Sequence, residues 1–146
     1  MTGEGRARSN VIAGMDEHLN ILVVEDDRVY AEFVVDTLRA AGHEVTIAAN
    51  GAEAREHVKT LHVDAVILDL GLPDENGYDL ARALRAGLLA RSAIIILLTA
   101  DLYPERDRAD AVGIDMVLSK PVEPQLVLGM VDLIHGRRKR RLDRDR

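Results

Sequence analysis

No cysteine occurs in the chain, which excludes disulfide bridges and thiolate metal sites at once. Aromatic residues are nearly as scarce, at 3%. A core with so few rings has to be filled by Val, Leu, Ile and Ala, the usual content of an α/β sheet covered on both faces. Long hydrophobic runs are missing too. The longest, Ala93 to Leu98, is far too short to span a bilayer, and no basic segment followed by an apolar block opens the chain as a secretory signal would. The expectation is a cytoplasmic protein with no membrane partner.

The 146 residues suit one domain with ragged ends, and 47% hydrophobic with 30% charged residues is ordinary for a soluble globular protein. Residues 1–18 read as a flexible leader, 19–136 as the folded domain and 137–146 as a basic tail. That tail holds seven Arg or Lys and two Asp, hence +5, so a net charge of −6 leaves −11 on residues 1–136. An acidic body is a poor nucleic-acid groove, because phosphate contacts need clustered Lys and Arg, and nucleic acid is not expected as a partner of the domain. The basic run reads first as charge complementing a helix end, and second as a surface for a polyanion or acidic partner.

From Asn20 the chain alternates between two kinds of segment. Ile21 to Val24 is a short continuous apolar run ended by Glu25, Asp26 and Asp27, the pattern of a buried strand. Asp27 is placed to cap a helix whose apolar positions Val29, Phe33, Val34, Thr37 and Leu38 recur every three or four residues until Gly42 stops it. Strands follow at Glu44–Ala48, Ala65–Leu68, Ala93–Leu98 and Ile114–Leu118, with helices at Ala52–Thr60, Tyr78–Ala86, Glu105–Val112 and Glu123–His135. Five βα units imply a doubly wound parallel sheet with helices on both faces, an α/β fold, since each crossover is right-handed.

In such sheets ligands bind beyond the carboxyl ends of the strands. Those ends offer Glu25 and Asp26 after the first strand, Asp69 at the third, Thr99 at the fourth and Lys120 after the fifth. Two like charges about 4 Å apart repel by about 4 kcal/mol at an effective dielectric of about 20, so three carboxylates here call for a cation. Oxygen donors without Cys or a nearby His favour Mg²⁺ over Zn²⁺. The histidines His18, His43, His57, His62 and His135 show no ligand spacing and are expected at the surface.

The segments Ile21-Leu22-Val23-Val24-Glu25-Asp26-Asp27, Val66-Ile67-Leu68-Asp69-Leu70-Gly71-Leu72-Pro73, Leu98-Thr99-Ala100 and Ser119-Lys120-Pro121, with Gly77, resemble in order and spacing the CheY-like receiver domains of bacterial two-component response regulators. The resemblance covers about Leu19 to His135. It implies a flavodoxin-like five-stranded sheet of order 2-1-3-4-5. It also implies Asp69 as phosphoacceptor, Glu25 and Asp26 with the Gly71 carbonyl as Mg²⁺ ligands, and Thr99 and Lys120 as ligands of the phosphoryl oxygens. The implied donor is a sensor histidine kinase or histidine phosphotransfer protein, and the implied output a downstream protein target whose binding is switched. Pairing with a second copy through the fourth helix, fifth strand and fifth helix is implied as well, as is a cis Lys120–Pro121 bond.

The chain also departs from the family pattern. Val117 stands where receivers commonly carry Tyr or Phe, so the output face is expected to respond through the loop after Thr99, with Tyr103 as a conceivable substitute. Val122 replaces the common Phe after Lys-Pro. Gly71 puts no side chain over the acceptor and Asp101 puts a carboxylate near the rim, and both are expected to influence water access. Val117 keeps open a second reading, a receiver-shaped adaptor that works without phosphorylation. A phosphatase with an aspartyl-phosphate intermediate is disfavoured, because Gly71 occupies the place of its second Asp. With only the arginine-rich run after His135, the chain reads as a stand-alone receiver.

Overall fold

The structure, a computed structural model, describes residues 18–101 and 104–145. Within these residues five strands alternate with five helices: β1 Asn20–Val24, α1 Arg28–Ala40, β2 Glu44–Ala48, α2 Gly51–His57, β3 Ala65–Asp69, α3 Gly77–Ala86, β4 Ile94–Thr99, α4 Arg106–Ala111, β5 Met116–Ser119 and α5 Pro124–Arg144. All pairings are parallel, in the order β2-β1-β3-β4-β5. This is the doubly wound sheet expected from the pattern, with the strand order that the resemblance implied.

Strand side chains alternate between faces, and the two cores divide accordingly. Leu22, Val24, Val66, Leu68, Ile95 and Leu97 pack on one side, against α2, α3 and α4. Ile21, Val23, Ile67, Ile94, Ile96 and Leu98 pack on the other, against α1 and α5. Both faces are covered by helices, which is why the strands read as unbroken apolar runs rather than as alternating ones.

Asp27 caps α1 by accepting from the Tyr30 N–H, as expected. At the other end the Gly42 N–H donates to Arg39 O and the His43 N–H to Leu38 O, a pair of bonds that requires the left-handed φ of 96° at Gly42. The buried stripe of α1 is Ala31, Val34, Val35 and Leu38, whereas Val29 and Phe33 are 65% and 61% exposed. The expected apolar stripe was therefore too wide, since spacing alone cannot tell a core-facing edge from a solvent-facing one.

Two further expectations are corrected. His43 is buried, because the turn at Gly42 folds it beneath the start of β1, where its Nδ1 accepts from the Leu19 N–H and its Nε2 lies 3.6 Å from Asp132. The last helix does not stop at His135 but continues through the basic run to Arg144. Arg138 holds this extension to the body through Ser92 O and the Asp115 carboxylate, at the amino-terminal edge of the sheet. Asp115 also receives Arg85 from α3 and the Ile95 N–H.

Candidate functional site

The parallel register brings five strand ends to one edge. Asp69 is the last residue of β3 and pairs with Leu98, so Thr99 at the end of β4 lies one step further along the same edge, opposite Ser119 of β5. Glu25, Asp26 and Asp69 bring carboxylate oxygens within 4.8 Å of one another. Glu25 is 3% and Asp69 6% exposed, while Asp26 faces solvent. Lys120 reaches back over them, its Nζ 3.2 Å from Glu25 Oε1 and 3.1 Å from Asp69 Oδ1. Thr99 is buried, and its hydroxyl accepts from the Asp101 N–H.

Four of the expected side chains thus meet directly, and Thr99 stands beside them at the same edge. Gly71 follows two residues after Asp69, its N–H donating to Asp69 Oδ1, with open space where a side chain would begin. The Lys120–Pro121 bond is cis, as the resemblance implied, and the Lys120 N–H donates to Thr99 O. Val117 is half-buried in β5 against the α3 and α4 core. Tyr103 lies outside the described residues.

The electrostatics follow from burial. Desolvation pushes the Glu25 carboxyl up to about 7, and the neighbouring Asp69 adds to this against the opposing pull of Lys120 and the Asp27 N–H. Burial works against the Lys120 ammonium as well, but its hydrogen bonds and attraction to Asp69 and Glu25 outweigh it and hold the pKa above the usual lysine value. One ammonium cannot neutralise three carboxylates. The donor set is all oxygen, converging and short of positive charge, which fits a hard divalent cation.

Several contributors escaped the sequence reading. Tyr30, in the first turn of α1, donates its hydroxyl to Val122 O at 2.7 Å, and Lys120 Nζ sits 5.9 Å from its ring centre. Asp74 accepts from the Gly51 and Ala52 N–H groups at the start of α2, and Arg55 forks onto Glu75. These contacts fasten the loop that follows Asp69. Gly77 is more than a turn residue: a Cβ there would lie 2.8 Å from Leu70 Cα and 3.0 Å from Asp69 O, so only glycine lets α3 start against the acceptor strand. The scarcity of aromatics was the one signal that could have drawn attention to Tyr30.

The family model for the response regulator receiver domain matches residues 21–132. The chain belongs to this family. The receiver is 36% identical over 116 residues to the DNA-binding response regulator MtrA of Mycolicibacterium paratuberculosis, a match covering 76% of this chain and 48% of that protein. To the transcriptional regulatory protein TorR of Escherichia coli K12 it is 35% identical over 118 residues, 79% of this chain and 50% of the other. The chain thus spans about half the length of the curated relatives it matches.

Among solved structures, the chemotaxis response regulator CheY4 of Vibrio cholerae superposes with a TM-score of 0.75 at 29% identity, covering 81% of this receiver and 99% of that chain. The receiver domain of a Pseudomonas aeruginosa sensor histidine kinase superposes with a TM-score of 0.72 at 30% identity, covering 82% and 99%. That neighbour carries a magnesium ion in its active-site cleft. No helix among the described residues is long and apolar enough to cross a membrane.

Proposed function

We propose that this receiver is a Mg²⁺-dependent phosphoacceptor switch, in which Asp69 takes a phosphoryl group from the phosphohistidine of a sensor kinase or phosphotransfer protein. The observation that carries this reading is the Lys120 ammonium lying within 3.2 Å of both Glu25 and Asp69, in a cluster whose carboxylates still outnumber it. Glu25, Asp26, Asp69 and the Gly71 carbonyl would hold the ion. Bound there, Mg²⁺ would neutralise charge on the transferring oxygens.

The chain's own residues do the rest. Asp69 Oδ attacks phosphorus as the donor's N–P bond breaks, and an O–P bond forms on the carboxylate. Lys120 exchanges its contacts with Glu25 and Asp69 for phosphoryl oxygens, as a point charge that needs no directional fork. The Thr99 hydroxyl, whose oxygen accepts from the Asp101 N–H, has its proton available to donate to the same group. Both moves draw the β4–α4 and β5–α5 loops inward, which biases an equilibrium between two conformers and so switches binding of a downstream protein.

A protein donor suits the surroundings. A groove of about 670 Å³ beside Lys120 is lined by Tyr30, Phe33, Pro121, Val122 and Pro124, and Phe33 stands exposed at its side. Such a donor belongs to the cytoplasm. The α4–β5–α5 face is the surface through which the resemblance implies pairing with a second copy.

Radiolabelled acetyl phosphate or a phospho-kinase tests the reading: label is expected to require Mg²⁺ and to vanish in Asp69→Asn. Val117 in place of an aromatic residue supports one competing reading, a phosphorylation-independent adaptor, and absence of label from every donor would favour it.

A further inference from the structure

The sequence places an arginine-rich run at the end of the chain, and the fold decides which way it faces. Arg137, Arg140, Arg141 and Arg144 fall at positions i, i+3, i+4 and i+7 of α5, so they form one stripe along about 10 Å of helix. All four are exposed, and they line a common surface groove together with Asp143. Among the described residues no carboxylate pairs with any of them. Arg138 lies on a different side of the helix, turned to the body and engaged with Ser92 and Asp115.

Like charges at these spacings work against a helix, and the helix dipole rewards cations only in its final turn. Arg141 and Arg144 have that explanation, whereas Arg137 and Arg140 lie further back. No residue of α5 beyond Gly136 is buried, so the stripe stands clear of the acidic body while Arg138 fixes its direction. It occupies the end of the molecule opposite Asp69, since Ser92 and Asp115 precede β4 and β5.

We propose that this stripe binds the phosphodiester backbone of a nucleic acid. Four guanidinium groups present planar forks suited to phosphate, where lysines would offer only point charges. A nucleic-acid strand carries one charge per about 3.4 Å of axis, so a backbone laid along the stripe sets several phosphates against it. A bilayer fits less well, because Leu142 is the only apolar residue beyond Gly136 and it points away from the stripe, leaving no apolar face to insert. The contacts are to backbone, so binding is independent of base sequence. The acidic domain itself remains an unsuitable groove; the surface is the helix beyond it.

The test is fluorescence anisotropy of a labelled 20-base-pair duplex of arbitrary sequence with the full chain, between 50 and 200 mM salt. Four backbone contacts should give a slope of log Kobs against log[salt] of about −3.6, which is an affinity loss of about 150-fold over that range. The variant with Arg137, Arg140, Arg141 and Arg144 all changed to Gln should lose binding, while its Mg²⁺ affinity stays that of the parent. A control of equal charge, with Arg28, Lys59, Arg82 and Arg106 changed to Gln, should retain binding.

Three results would overturn the proposal: no binding at 50 mM salt, equal loss in both fourfold variants, or binding indifferent to salt. If the duplex does not bind but phosphatidylserine vesicles do, or if the chain self-associates through the stripe in sedimentation, the partner is a lipid surface or a second copy and the proposal fails.

Discussion

The hydroxyl of Tyr30 donates to the carbonyl of Val122 across a separation of 92 residues, tying the first turn of α1 to the loop that carries Lys120. The same ring lies near the Lys120 ammonium, and burial with the nearby Glu25 charge pushes the phenol above its ordinary value. Val122 is where the family commonly has Phe, and here Tyr30 meets the backbone at that point.

Tyr30→Phe keeps the ring and removes one hydrogen bond, worth about 1 kcal/mol. Phosphorylation of Asp69 by acetyl phosphate should slow about fivefold at saturating Mg²⁺, with Mg²⁺ affinity unchanged. If the tyrosine acts by positioning Lys120, the loss should disappear when the substitution is made in Lys120→Ala. A loss that simply adds to that of Lys120→Ala would show a general structural effect instead.

Glu25 should make Mg²⁺ binding depend on pH. Its folded pKa, about 7, lies above the ordinary carboxyl value of 4.5, so in the metal-free protein its contribution to stability is complete below about 4.5 and is lost as pH rises through about 7. Mg²⁺ needs the ionised form, and its affinity should be about tenfold weaker at pH 6 than at pH 8. The rise in melting temperature with added Mg²⁺ should accordingly be larger at pH 8. Equal Mg²⁺ titrations at the two pH values would contradict this.

Water access to the acyl phosphate should be set by Gly71 and Asp101. A Cβ at Gly71 would meet nothing within 4 Å, and Gly71→Asn should slow dephosphorylation by about tenfold, a barrier change of about 1.4 kcal/mol. Asp101→Ala should change the same rate by removing the carboxylate at the rim. Loss of label after removal of the donor measures both, and unchanged rates in the two variants would rule the idea out.

His43 should contribute to acid sensitivity. Burial lowers its pKa from 6.5 against the pull of Asp132, and the neighbouring His18 and His135 lower it further. The fold holds the neutral ring, whose Nδ1 must stay unprotonated to accept from the Leu19 N–H. Its stabilisation is therefore full above about pH 6.5 and is lost as pH falls below it. Urea unfolding of His43→Gln beside the parent from pH 7.5 to 5 should show a shallower decline in the variant. Parallel declines would assign the acid sensitivity to other groups.

Much of the site was legible because its residues end apolar runs. A strand buried on both faces shows itself as four or five consecutive Val, Leu or Ile, so Glu25, Asp69 and Thr99 are marked by where those runs stop. Helix ends were less legible. Nothing local distinguishes Arg138, which grips Asp115, from Arg137, which faces water, and the last helix was accordingly expected to end too soon.

By itself the sequence determined the alternation of strands and helices, the edge of the sheet where charge gathers, and the capping role of Asp27, because each depends on residues within a few positions of one another. Only the tertiary structure decided that Tyr30 meets Val122, that His43 is buried against Asp132, and that four arginines share a free face while a fifth anchors their helix. Those are contacts between segments far apart in the chain, or choices of which side of a helix meets the body. Neither leaves a trace in local spacing, because both depend on where the sheet places the neighbouring element.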